Sequence, residues 1–212
     1  MSHRARIALK VAVWGICLAP LATLAYRTWT DDLGANPISF VTNTLGDWTI
    51  RILLASLAMT PLRVLFGLSW PIALRRLLGL FAFAYVCLHF SVWIVLDFFF
   101  DWPRMWADIV KRPYITMGML AMLSLIPLAA TSTAGMIRRL GARNWTRLHR
   151  LAYVAGVCGV LHYLWLAKVG VRDPYWYAAA LAVLLGVRGW TWGRRAVRRR
   201  AAVAATSAPA GS

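Results

Sequence analysis

Apolar residues fall in six blocks along the chain, with polar residues gathered between them: 11–26, 48–68, 77–96, 115–130, 148–167 and 175–192. Each block approaches the ~20 apolar residues that cross a hydrocarbon core ~30 Å thick. The pattern predicts an all-α integral membrane protein, a six-helix transmembrane bundle formed as a single domain over residues 1–200. An Ala-rich end, 201–212, is expected to be a disordered tail. The first block follows a basic head with Arg4, Arg6 and Lys10, the form of a signal peptide. Five further blocks follow it, so a retained first span is expected. Pro61 is expected to kink or end the second span.

Composition agrees with this class. Of the 212 residues, 60% are hydrophobic and 15% charged, too few charges to cover a soluble domain. The net charge of +17 would suit a nucleic-acid-binding protein, but the basic residues sit in short loops between apolar blocks. That is the distribution of the positive-inside rule, so the expected partner is membrane lipid, with no nucleic acid. Six spans leave both termini on one side. Seventeen of the 24 Lys and Arg fall there, among them Arg138, Arg139, Arg143, Arg147 and Arg150. The other side carries the remaining seven and all seven acids, so both termini are expected in the cytoplasm. Trp102, Trp106 and Tyr114 mark an aromatic-rich loop at the outer interface. Cys17, Cys87 and Cys158 lie in separate apolar blocks and form no CxxC pair or disulfide framework.

The candidate chemistry lies in the histidines. The stretch Asn144–Lys168 holds His149 and His162, and ionisable groups inside a span point to function. Thirteen residues apart, the two lie ~20 Å from each other along a helix, too far for one zinc site. His89 lies ~18 Å into the third span and His162 ~21 Å into the fifth, both from the cytoplasmic side. Matching depths on two helices suit axial ligation of one b-type haem. The plainer reading is that each histidine packs with a hydrogen-bonded partner. His149 lies near the cytoplasmic end, where the third span offers Arg75 and Arg76 in place of a histidine. On an ideal helix it is about 140° from His162, whereas Arg75 and His89 fall within about 40° of each other. Arg75 can therefore lie beneath a haem or hold an anionic group, although a membrane-interface anchor explains the Arg pair equally well. Neither GxGxxG nor GxxxxGK[ST] occurs, so no nucleotide-binding domain is evident.

The segments RRLLGLFAFAYVCLHF (Arg75–Phe90), KRPYITMGM (Lys111–Met119) and Ala130–Trp165, with LGARNWTRLHRLAY and LHYLW, carry a family resemblance. The chain resembles the ferric-reductase-like transmembrane superfamily and, more closely, the MsrQ or YedZ family of haem-binding membrane subunits. The resemblance implies haem b (one or two), flavin mononucleotide (FMN) and a multi-pass protein of the bacterial inner membrane. Electrons would come from a quinone or a cytoplasmic flavin reductase. They would pass to a periplasmic molybdopterin sulfoxide reductase, the catalytic subunit that repairs oxidised methionines. Carried over to this chain, His89 and His162 would hold the outer haem and His149 would be a further ligand candidate. Arg75 and Arg76 are expected to bind cofactor from their own place at the base of the third span, where a basic pair can hold a flavin phosphate or a haem propionate. The superfamily often has four such histidines; here the inner position on the third span is Arg75–Arg76. The competing expectations are a self-sufficient quinol or ferric reductase and a proton-relaying transporter.

Overall fold

The computed structural model describes residues 2–167 and 170–207. Lys168, the last residue of the stretch Asn144–Lys168, and residues 208–212 of the expected tail lie outside the described residues. Eight α-helices and one π-helical turn account for nearly all of the described chain, and no strand occurs among the described residues. Among the described residues four helices are long and apolar enough to cross a membrane: α1 (His3–Trp29), α2 (Pro37–Phe66), α3 (Pro71–Val92, prolonged to Asp97 by the π turn) and α5 (Pro113–Ala130). A shorter apolar helix, α7, spans Leu151–Leu166. The remaining helices are α4 (Trp102–Lys111), α6 (Ala134–Leu148) and α8 (Asp173–Ser207).

Helix starts follow their local chemistry. Asn36 caps α2 by accepting from the Ser39 amide at 3.0 Å, and Pro37 occupies the first turn, where no donor is needed. This start lies eleven residues before the expected boundary, because the polar run before Trp48 is helical. Pro71 similarly starts α3 early and places Arg75 and Arg76 inside the helix. The helix α2 passes through Pro61 and ends at Gly67, whose φ of +66° only a residue without Cβ adopts easily. The loop after the third span contains α4, capped by the Asp101 carboxylate at 3.1 Å from the Arg104 amide. The basic loop after the fourth span is also helical, as α6, with a break at Gly141, φ +73°. At the C-terminus, α8 carries helix seven residues into the segment expected to be disordered, in keeping with the high helix propensity of alanine.

The most extensive packing joins α2 to α3 and α5 to α7. Thinner contacts join α3 to α5 and α2 to α7, which closes a four-helix ring with α3 and α7 on one diagonal. Leu45, Leu53, Leu74, Phe81, Ala82 and Tyr85 lie at its core. The fully buried Tyr85 hydroxyl donates to the Cys17 carbonyl at 2.6 Å and ties α1 to α3. Ile50, Leu54, Leu57, Val160 and Leu181 form a second cluster, which joins α8 to α2 and α7.

Candidate functional site: paired histidines in the helix ring

His89 and His162 come from the two helices on the diagonal. Their ring centroids are 6.3 Å apart and their planes meet at 82°. His89 Nδ1 lies 2.9 Å from the Thr42 carbonyl on α2. His162 Nδ1 lies 2.6 Å from the Tyr114 carbonyl on α5. A carbonyl oxygen only accepts, so Nδ1 carries the proton in both rings and donates. That tautomer leaves Nε2 with a free lone pair, the arrangement that a metal-binding imidazole requires.

The spacing can be tested against an axial pair. A metal–imidazole bond is about 2.0–2.1 Å. In a five-membered ring with bonds near 1.35 Å, the nitrogen lies roughly 1.15 Å from the centroid. Two ligands on opposite sides of one iron then have centroids roughly 6.4 Å apart, against the 6.3 Å observed. In separation, and with Nε2 left free on each ring, the two side chains fit a shared iron. Among the described residues no group of three or more His, Cys, Asp or Glu converges on one point, as a protein-ligated zinc would need.

Glycines make room for both rings. A Cβ on Gly46 of α2 would sit 3.2 Å from His89 Cε1, and one on Gly118 of α5 would sit 2.9 Å from His162 Nδ1. Beside Tyr114, Arg112 donates to the Tyr114 hydroxyl at 3.0 Å and pairs with Asp108 at 2.8 Å. The Tyr114 hydroxyl, and then Asp108, hold the Arg112 guanidinium above its ordinary pKa.

His149 is placed differently from the expectation above. It lies in the turn that ends α6, before α7 begins at Leu151, so it is not inside the spanning helix that carries His162. The backbone there stays right-handed but tightens to i→i−3 hydrogen bonds, Arg150 to Arg147, Ala152 to His149 and Tyr153 to Arg150, so the azimuth computed on one regular helix does not apply. Its ring stacks on Trp145 at 3.8 Å, and Nδ1 lies 3.1 Å from the Trp145 carbonyl. Arg75 is half-buried and close enough for its charge to act on His149, while Arg76 is exposed. The Arg75 carbonyl accepts from the Ser56 hydroxyl at 2.9 Å. Among the named candidates, His89 and His162 therefore form one group and His149 and Arg75 a second; Arg76 is exposed.

A polar cluster beside the pair has no counterpart among those candidates. Asp47 follows Gly46, and Tyr163 follows His162. Tyr163 interacts with Asp47 and stacks on Tyr177 at 5.7 Å. Arg51 donates to the Tyr177 hydroxyl at 2.8 Å, with Asp47 3.8 Å away. The available signal was an Asp and an Arg four residues apart in an apolar helix, where they share a face.

An apolar helix ring with an imidazole from each of two facing helices defines an intramembrane histidine-pair protein. In keeping with that class, residues 45–160 match the family of ferric reductase like transmembrane components. The relatives narrow it further. The chain is 54% identical over 179 residues to the protein-methionine-sulfoxide reductase heme-binding subunit MsrQ of Rhodospirillum rubrum, covering 84% of this chain and 86% of that protein. The MsrQ subunit of Ralstonia nicotianae is 50% identical over 197 residues, 92% of this chain and 90% of that protein. That of Herminiimonas arsenicoxydans is 49% identical over 203 residues, 94% and 92%. The chain belongs to the MsrQ family and is a multi-pass bacterial membrane protein. No solved structure matches it.

Proposed function

We propose that this chain is the haem-binding, electron-transferring membrane subunit of a protein-methionine-sulfoxide reductase system. The observation that carries the reading is the His89–His162 pair, 6.3 Å apart with both Nδ1 atoms held by carbonyls. His89 and His162 would hold a b-type haem, which when bound supplies one-electron redox chemistry. The relatives, heme-binding subunits of protein-methionine-sulfoxide reductases, support haem binding and a place in that system.

In this reading α1, α2, α3, α5, α7 and α8 all cross the inner membrane as one domain, with both termini in the cytoplasm. The one-sided basic charge supports that orientation. The histidine pair then sits toward the periplasmic ends of the helices, close to a periplasmic molybdopterin catalytic subunit. His149 and Arg75 face the cytoplasmic side and would serve a second haem or the phosphate of FMN, with Arg76 beside them. FMN rests on the family resemblance, as does a quinone or cytoplasmic flavin reductase as donor.

The test mixes the reduced, purified protein with the purified periplasmic enzyme and methionine sulfoxide, and follows the haem band. Reoxidation that needs both the enzyme and the sulfoxide is expected. Equal reoxidation by the sulfoxide alone would place a substrate site on this chain and overturn the reading.

A further inference from the structure

The two histidines are held by the same device, built twice. On α2, residue 42 presents its carbonyl to His89 Nδ1, and residue 46, one turn on, is a glycine against the same ring. On α5, residue 114 presents its carbonyl to His162 Nδ1, and residue 118, again one turn on, is a glycine against that ring. Positions i and i+4 share one helix face, so carbonyl and glycine form a single shallow seat for an imidazole. The seats belong to the two most closely packed pairs, α2–α3 and α5–α7. The bundle is thus two like halves, each with a seat helix followed by a histidine helix.

We propose that Gly46 and Gly118 are positioning residues that set the orientation of the two imidazoles, and with it the near-perpendicular ligand planes and redox potential of the haem. The proposal rests on the haem reading above. The contacts are selective. A Cβ at residue 118 would lie 2.9 Å from His162 Nδ1 and 3.1 Å from Cε1; one at residue 46 would lie 3.2 Å and 3.3 Å from His89 Cε1 and Nδ1. Approaches under 3.0 Å force something to move, and those slightly above it still crowd the ring. The helix backbone cannot yield easily, so the ring turns about its side-chain torsions or withdraws from the carbonyl. Turning changes the 82° angle between the planes. Withdrawal weakens the Nδ1–H···O=C bond, and that bond raises the basicity of the ligating nitrogen. A less basic ligand stabilises ferric iron less, so the potential rises. Gly118 has the closer contact and the shorter hydrogen bond, so its seat holds the ring more tightly.

The experiment purifies the wild type, Gly46→Ala, Gly118→Ala and, as control, Gly79→Ala, where a Cβ would meet only the Ser56 hydroxyl at 3.6 Å. Each is examined by haem-to-protein ratio, low-temperature electron paramagnetic resonance of the ferric form and a redox titration. The wild type and Gly79→Ala should show the highly anisotropic low-spin signal of perpendicular imidazoles. Gly46→Ala should keep its haem with that signal shifted and the potential raised. Gly118→Ala should shift further or lose haem. Wild-type signal and potential in both Gly46→Ala and Gly118→Ala would overturn the proposal, as would an equal shift in Gly79→Ala. A wild-type protein that purifies without haem would instead defeat the haem reading itself.

Discussion

The Arg51 guanidinium donates to the Tyr177 hydroxyl at 2.8 Å and so joins α2 to α8 within the apolar part of the molecule. The same arginine has Asp47 at 3.8 Å and lies over the Trp48 ring at 5.3 Å. Hydrogen bonds between membrane helices contribute about 0.6 kcal/mol on average and up to about 1.7. Tyr177→Phe should therefore cost roughly 1 kcal/mol and lower the apparent Tm by roughly 2–4 °C in a protein of this size. Arg51→Leu should cost more, because it leaves the Asp47 carboxylate beside Tyr163 without its cation. Thermal denaturation in detergent, with and without each substitution, measures both. An unchanged Tm in both variants would mean that the bond contributes nothing to docking α8.

Arg75 and Arg76 should separate in function, because one is half-buried near His149 and the other exposed. Arg75→Gln should leave the absorbance of the haem assigned to His89 and His162 intact and slow its reduction by a cytoplasmic donor. Arg76→Gln should have the smaller effect on that rate. Stopped-flow reduction checks this; loss of the haem in Arg75→Gln, or unchanged kinetics, would contradict it.

The proposed orientation of the helices rests on charge and is open to a direct test. A reporter active only in the periplasm should be silent when fused after Ser212 and active when inserted in the turn that precedes α4, at Phe99–Phe100. The reverse result would turn the histidine pair toward the cytoplasm.

Much of the architecture is legible from the apolar blocks, since length and hydropathy are what a membrane demands of a helix. The nearness of His89 and His162 is legible too, because each lies at a similar distance along its own apolar block. Two kinds of feature are not. One is the turn at His149: the run RLHRLAY has no Gly or Pro to mark a break, so the end of α6 and the whole of α7 read as one segment, Asn144–Lys168. The other is the seat beneath each ring. Every residue has a carbonyl, and nothing in the letters Thr42 or Tyr114 says which one a histidine will find. Gly46 and Gly118 acquire meaning only once α2 lies against α3 and α5 against α7. Asp47 and Arg51 are visible as charges, but their partners Tyr163 and Tyr177 come from helices over 100 residues away in sequence.

The central claim is that His89 and His162 hold one haem between them. The reduced-minus-oxidised absorbance spectrum, with haem-to-protein ratio, of the purified wild type, His89→Ala, His162→Ala and His149→Ala tests it most directly. The wild type should show a low-spin b-type spectrum. His89→Ala and His162→Ala should each lose most of that haem, while His149→Ala should keep it. Full haem content with an unaltered low-spin spectrum in both His89→Ala and His162→Ala would contradict the account.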